Sequence, residues 1–228
     1  MEKLIRPTGD YHRLLSYQKT EVIYEMTYYF CERYLQKGDR TVDQMVQAAR
    51  PGKQNIIEGS AASATSAKKG IKLLNVAKAS LKELLEDYED YLRTRGARRW
   101  EEQSAEWTAM RELGKTHNEA EFFMNLCQTR PPETIANMAI VLLHQADYLL
   151  FRQLERLEKD FLDNGGFSER MMRLRKQQRG YNTKKKAKAK GALISLKTLS
   201  IYGNEIGSYI HSMHSCFCIL CILIIVSI

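Results

Sequence analysis

The sequence predicts an all-α protein: an antiparallel up-down four-helix bundle with an extra helical segment between its third and fourth helices. Three observations predict it. No stretch of the 228 residues alternates apolar and polar positions as a half-buried strand does. Four long stretches instead repeat their apolar residues at spacings of three and four. Helix-stopping residues punctuate those stretches, at Gly38, Gly96, Pro131-Pro132 and Asn164-Gly165-Gly166.

The first stretch runs from about Tyr11 to Lys37, with Leu14, Leu15, Val22, Ile23, Met26, Phe30 and Tyr34 as apolar positions. Six tyrosines crowd it: Tyr11, Tyr17, Tyr24, Tyr28, Tyr29 and Tyr34. They suit packing with hydroxyls at the rim, or the stacking of bases. The second stretch opens at Thr41, where Thr41 and Gln44 have the spacing of a capping box. Met45, Val46 and Ala49 follow. Pro51-Gly52 predicts a kink or break, and Gly59 a stop.

The third stretch is the most regular. Ile71, Leu74, Lys78, Leu81, Leu85, Tyr88 and Leu92 step by three and four, and Leu73, Val76, Ala77, Leu84 and Tyr91 widen the face. That width predicts contact with more than one neighbour. Residues 97–131 form the extra helical segment, with Trp100 and Trp107 seven apart. The fourth helix, Glu133 to Asp163, carries two apolar seams. One holds Ile135, Met138, Leu142, Leu149 and Arg156; the other holds Leu143, Leu150, Leu154, Leu157 and Phe161. Two seams mean either a subunit interface or a thick core.

The net charge of +8 is unevenly placed. Residues 1–168 carry 24 Lys and Arg against 25 Asp and Glu, whereas residues 169–190 carry 10 against one. The chain therefore divides into a near-neutral helical domain (1–168), a basic linker or tail (169–190) and an apolar C-terminal tail (191–228). A hydrophobic fraction of 44% with 27% charged residues excludes a wholly disordered or polytopic membrane chain. The five cysteines are odd in number and scattered, which excludes a disulfide framework, and no apolar leader follows Met1. A cytoplasmic location is expected.

The apolar tail admits several readings. Cys218 and Cys221, with His211 and His214 upstream, look like half of a zinc site, but the residues around them are apolar and no second pair stands in the main body. The 13 residues from Cys216 fall short of the ~20 that span a bilayer as a helix, although a basic segment before an apolar end resembles a tail anchor. A frame slip in a lysine-coding, adenine-rich run would also leave such an end.

Catalytic signatures are missing. There is no Gly-x-Ser-x-Gly, no phosphate loop, no His-Glu-x-x-His and no Gly-x-Gly-x-x-Gly. Glu58-Gly59-Ser60 lacks the second glycine of a nucleophile elbow, and His12, His117 and His144 stand alone. Neither a catalytic residue, a metal nor a cofactor is expected. Nucleic-acid binding has more support. Lys68, Lys69, Lys72 and Lys78 precede the acidic half of the third helix, and Arg93, Arg95, Arg98 and Arg99 end it. Arg173, Arg175, Lys176, Arg179, Lys184, Lys185 and Lys186 lie in the basic tail. Such groups neutralise phosphates and release counterions, although charge runs are also ordinary solvated faces.

Residues 44–85 carry a family pattern: Gln44, Ala48-Ala49, Asn55-Ile56 and Glu58-Gly59-Ser60, then Leu73-Leu74-Asn75-Val76-Ala77-Lys78-Ala79-Ser80-Leu81-Lys82-Glu83-Leu84. It resembles the bacterial four-helix-bundle protein family, which includes the 23S rRNA intervening-sequence protein and the accessory variability determinant of diversity-generating retroelements. Tyr11 to Phe167 is most similar to its four helix bundle suffix domain branch. The chain departs from the family at Val46-Gln47, where paired arginines are usual, and at Lys78, where arginine is usual. The resemblance implies an up-down bundle, a homo-oligomer (pentameric in some members), no catalysis, and an accessory role in binding nucleic acid and a partner protein. The expected function is thus an oligomeric helical scaffold. A membrane-tethered adaptor held by the apolar tail is the alternative.

Overall fold

A computed structural model describes residues 10–36, 38–192 and 194. The described residues are almost wholly helical and contain no strand. Six helices succeed one another: α1 (Leu15–Tyr34), α2 (Arg40–Ser63), α3 (Ala67–Thr94), α4 (Ala105–Thr116), α5 (Ala120–Thr129) and α6 (Pro132–Asn164). A short 3-10 turn, Tyr11–Arg13, precedes α1. Residues 167–192 are also helical. The chain falls into two compact units, divided between Met171 and Met172.

In the first unit the four long helices touch in a closed cycle: α1 with α2, α2 with α3, α3 with α6, and α6 with α1. The core lies inside that cycle. Val22, Ile23, Met26 and Phe30 of α1 meet Leu74, Ala77, Leu84 and Tyr88 of α3 and the buried row Ile135–Leu143 of α6 in one cluster. Burying that many large side chains, each worth about 1.5–3 kcal/mol, is what holds helices whose isolated propensity is ordinary. One polar chain crosses the core. The Tyr88 hydroxyl donates to Thr27 Oγ1 at 3.0 Å, and Thr27 donates in turn to the Ile23 carbonyl at 2.7 Å, so neither buried hydroxyl is orphaned.

The chain covers the first seam of α6 as far as Leu142 and the second as far as Leu154. Ile135, Met138 and Leu142 are buried, and so are Leu143, Leu150 and Leu154. Their partners are α1, α3 and α4. What stays outside is Tyr148, Phe151, Phe161 and Leu162. Among the described residues, one helical run beginning at Pro132 is long and apolar enough to cross a membrane, and 61% of its most apolar window is buried within the chain.

Helix α2 departs from three expectations. It runs unbroken through Pro51, continues past Gly59 to Ser63, and is capped by Asp39 rather than Thr41. The Asp39 side chain accepts from the Thr41 amide at 2.9 Å, so Thr41 belongs inside the first turn. Packing against α3 accounts for the other two. A Cβ on Gly59 would stand 3.3 Å from the Gly70 carbonyl, and one on Gly70 would stand 3.0 Å from the Gly59 carbonyl. A Cβ on Gly52 would come within 2.6 Å of Leu81. These glycines are contact points, where the missing side chain lets two helices approach. The long α2–α3 contact offsets the roughly 3 kcal/mol that an interior proline costs.

The segment 97–131 also differs from expectation. It is two short helices, α4 and α5, and Trp100 lies in the non-helical stretch before them. Asn137 of α6 explains that stretch. Its Oδ1 accepts from the Trp100 amide at 2.7 Å, and its Nδ2 donates to the Arg98 carbonyl at 2.9 Å and the Glu133 carbonyl at 2.8 Å. Backbone groups that would otherwise form a helix are satisfied by one buried side chain. Helix α6 then opens on Pro132, whose missing amide costs nothing there, and closes at Gly165 with φ of 69°.

The apolar tail, with its cysteine and histidine cluster and its anchor reading, lies outside the described residues apart from positions 191, 192 and 194.

Candidate nucleic-acid interface

The basic residues singled out from the sequence stand in three different settings. Lys68, Lys69 and Lys72 are exposed at the start of α3. Ser66 caps this helix by accepting from the Lys69 amide, and its first turn holds no acid. No carboxylate among the described residues pairs with any of the three lysines. Lys68 and Lys69 stand in the first turn, at the positive end of the helix dipole, and Lys72 follows one turn on.

Lys78, one to two turns further on, is half-buried and engaged. It lies 3.4 Å from Asp147 of α6, and its Nζ stands 5.4 Å from the Phe151 ring centre. At the far end of α3 the arginines are engaged as well. Arg93 pairs with Asp90 at 2.7 Å, Arg98 with Glu106 at 3.2 Å and Arg99 with Glu89 at 2.7 Å. Arg95 lies 4.0 Å over the Tyr91 ring. The start and end of a helix this long are about 41 Å apart at ~1.5 Å per residue. Lys68–Lys72 and Arg93–Arg99 therefore form two sites.

The remaining candidates, Arg173, Arg175, Lys176, Arg179, Lys184, Lys185 and Lys186, sit in the helical part of the second unit. The tyrosines of α1 divide by burial. Tyr17 is buried and donates to Glu21, Tyr24 lies under Lys53 at 4.5 Å, and Tyr28 is exposed.

A second concave site was not anticipated from the sequence. A cavity of about 450 Å³ opens between α1, α4 and α6, lined by Lys19, Trp107 and His144 among others. Lys19 is 1% exposed, and burial lowers its pKa from the ordinary 10.5 to about 8. A faint signal was present: Lys19 stands four residues after Leu15 and three before Val22, on the apolar stripe of α1. His144 had appeared only as a lone histidine. Among the described residues, no three or more His, Cys, Asp or Glu side chains stand together in a group that could hold a metal ion.

No family model matches the chain, and no curated protein and no solved structure is similar to it.

Proposed function

We propose that this chain is a non-catalytic, homo-oligomeric accessory scaffold that binds nucleic acid and a partner protein. The basic start of α3 is its phosphate-binding surface. One observation carries this reading. Lys68 and Lys69 occupy the first turn of a helix, where cations are least welcome, Lys72 follows one turn on, and no acid among the described residues pairs with them. Each cation so placed is unfavourable by roughly 0.3–1 kcal/mol, and a phosphate seated there turns that cost into attraction. Lys78 and the Arg93–Arg99 group are less available, since their charge is already directed at Asp147, Asp90, Glu106, Glu89 and a tyrosine ring.

Other features support the finer parts of the reading. The closed cycle of contacts among α1, α2, α3 and α6 supports reading them as a four-helix bundle, with α4 and α5 inserted between its third and fourth members. Tyr148, Phe151, Phe161 and Leu162 give the second half of α6 apolar surface for a subunit or partner protein. The pentameric state and the bacterial origin rest on the family resemblance, and the cytoplasmic location on the odd, scattered cysteines.

Fluorescence anisotropy of labelled single-stranded RNA, single-stranded DNA and duplex tests the proposal on the full chain. Lys68→Gln/Lys69→Gln/Lys72→Gln should weaken binding about tenfold or more at low salt. It should also reduce the salt slope on single strands by about 2, at ~0.7 per phosphate contact. Loss confined to Lys184→Gln/Lys185→Gln/Lys186→Gln would move binding to the tail. Full binding by both variants, or none by the parent, would sink the α3 surface. Light scattering that returns a monomer at dilute concentration would remove the oligomer.

A further inference from the structure

The cavity between α1, α4 and α6 lies away from the start of α3, and the nucleic-acid reading makes no use of it. Its volume of about 450 Å³ is within the ~300–1,000 Å³ range of small-molecule sites. Leu15, Trp107, Val141 and Leu149 give it apolar walls. Trp107 is nearly buried, and its ring stands 5.3 Å from that of His144, which fixes both.

The polar groups of the cavity are incompletely used. The Lys19 ammonium donates to the carbonyls of Gly114 and His117, the latter at 3.1 Å. An ammonium has three donors, so one proton has no oxygen acceptor here, and Nζ stands 5.5 Å from the Phe123 ring centre. Among the described residues no carboxylate is within hydrogen-bond distance of it, and Glu119 supports the charge only through space. Burial has also made the charge costly, which an adjacent anion would offset. His144 Nε2 and Gln145 Oε1 are buried atoms with no hydrogen-bond partner. Gln145 Nε2 donates to the Arg111 carbonyl at 2.7 Å, which fixes its amide and leaves Oε1 as an acceptor.

The charges around the mouth also differ in availability. Glu112 is held by Lys115 at 2.6 Å, and Glu119 accepts from the Asn118 amide at 3.0 Å. Among the described residues neither Lys19 nor Arg111 has an ion-pair partner, and Glu102 is the acid that remains in the lining.

We infer that this cavity binds a small amphipathic carboxylate, with a ring or short-chain body against Trp107 and Leu149 and its anionic end toward Lys19 and Arg111. The spare proton of Lys19 donates to one carboxylate oxygen. His144 Nε2, buried and without a hydrogen-bond partner, is a further polar atom within the same walls. The apolar lining selects a body without further charge.

Isothermal titration of the full chain with 2-naphthoate, and with 2-naphthamide as a neutral isostere, tests the inference. The carboxylate should bind saturably and the amide about tenfold or more weaker, the effect of losing one charge-assisted contact. Leu15→Trp places bulk into the cavity from an exposed position on α1 and should abolish binding, with helicity unchanged by circular dichroism. Arg111→Gln should weaken the carboxylate and leave the amide unchanged. No saturable heat with 2-naphthoate, equal affinity for the amide, or undiminished binding by Leu15→Trp would each overturn it.

Discussion

The two ends of α3 carry basic residues in opposite circumstances. At the start, Lys68, Lys69 and Lys72 are exposed in the first two turns, and no carboxylate among the described residues pairs with them. At the end, Arg93, Arg98 and Arg99 each face an acid, and Arg95 covers a ring. A count of formal charges treats the ends alike. Their chemistry differs, because a charge already paired has less to offer an incoming phosphate than one that is strained where it stands. Lys19 is a third case, a cation buried among carbonyls.

Breaking the platform under the lysines should have the largest effect. Gly70→Leu drives a side chain into Ser63 and the Gly59 carbonyl, where α2 and α3 touch. We expect a loss of about 3 kcal/mol in urea unfolding, typical of overpacking at a close contact. Gly96→Leu at the other end meets nothing within 4 Å and carries only the strain of its positive φ, so it should cost less.

Next comes the buried cation. Folded Lys19 releases its proton from about 8, while the unfolded chain keeps it up to its ordinary 10.5. Between those values the unfolded state binds more protons, so stability must rise with pH. Burial of Cys31 and Cys127, raised to about 12 and about 11, works the other way as unfolded thiols ionise near 9. The difference between the parent and Lys19→Met cancels the cysteines. It should shrink by about 2 kcal/mol from pH 8 to pH 10. A flat difference would mean that Lys19 is not desolvated.

The two ends of α3 should then separate in sign. Lys68→Gln/Lys69→Gln/Lys72→Gln should raise stability by about 1 kcal/mol in low salt, by relieving the dipole and the mutual repulsion. Arg99→Gln should lower it by at most about 1 kcal/mol, because the pair it breaks is half-exposed. Both effects should fade in 1 M salt. A stabilised arginine variant, or a destabilised lysine variant, would erase the contrast on which the phosphate-binding surface rests.

Much of the fold was legible in the sequence. The three-and-four spacing located α1, α3 and α6, and Gly96, Pro131 and Gly165 marked real ends. Helix α2 was misread because Pro51 and Gly59 are local breakers whose effect was overruled by contact with α3, a partner nothing local reveals. Trp100 was misread for the same reason, since its amide is claimed by Asn137, 37 residues away. In the candidate interface the basic residues were visible but their engagement was not. Asp147 is distant in sequence from Lys78, and Glu106 is eight residues beyond Arg98 across a non-helical stretch. The cavity was the least legible feature, because it is made of three helices and its central lysine reads as one polar exception on an apolar stripe.

The Asn137 side chain also sets a schedule. It holds Arg98 and Trp100 in place from a position 37 to 39 residues later. A ribosome adding roughly 5–20 residues per second needs about 2–8 s to supply it. Through that interval the nascent chain has α1, α2 and α3 complete, while the stretch leading into α4 lacks the side chain that fixes it. Docking of α4 is therefore a late event in the life of each molecule, completed only when α6 emerges.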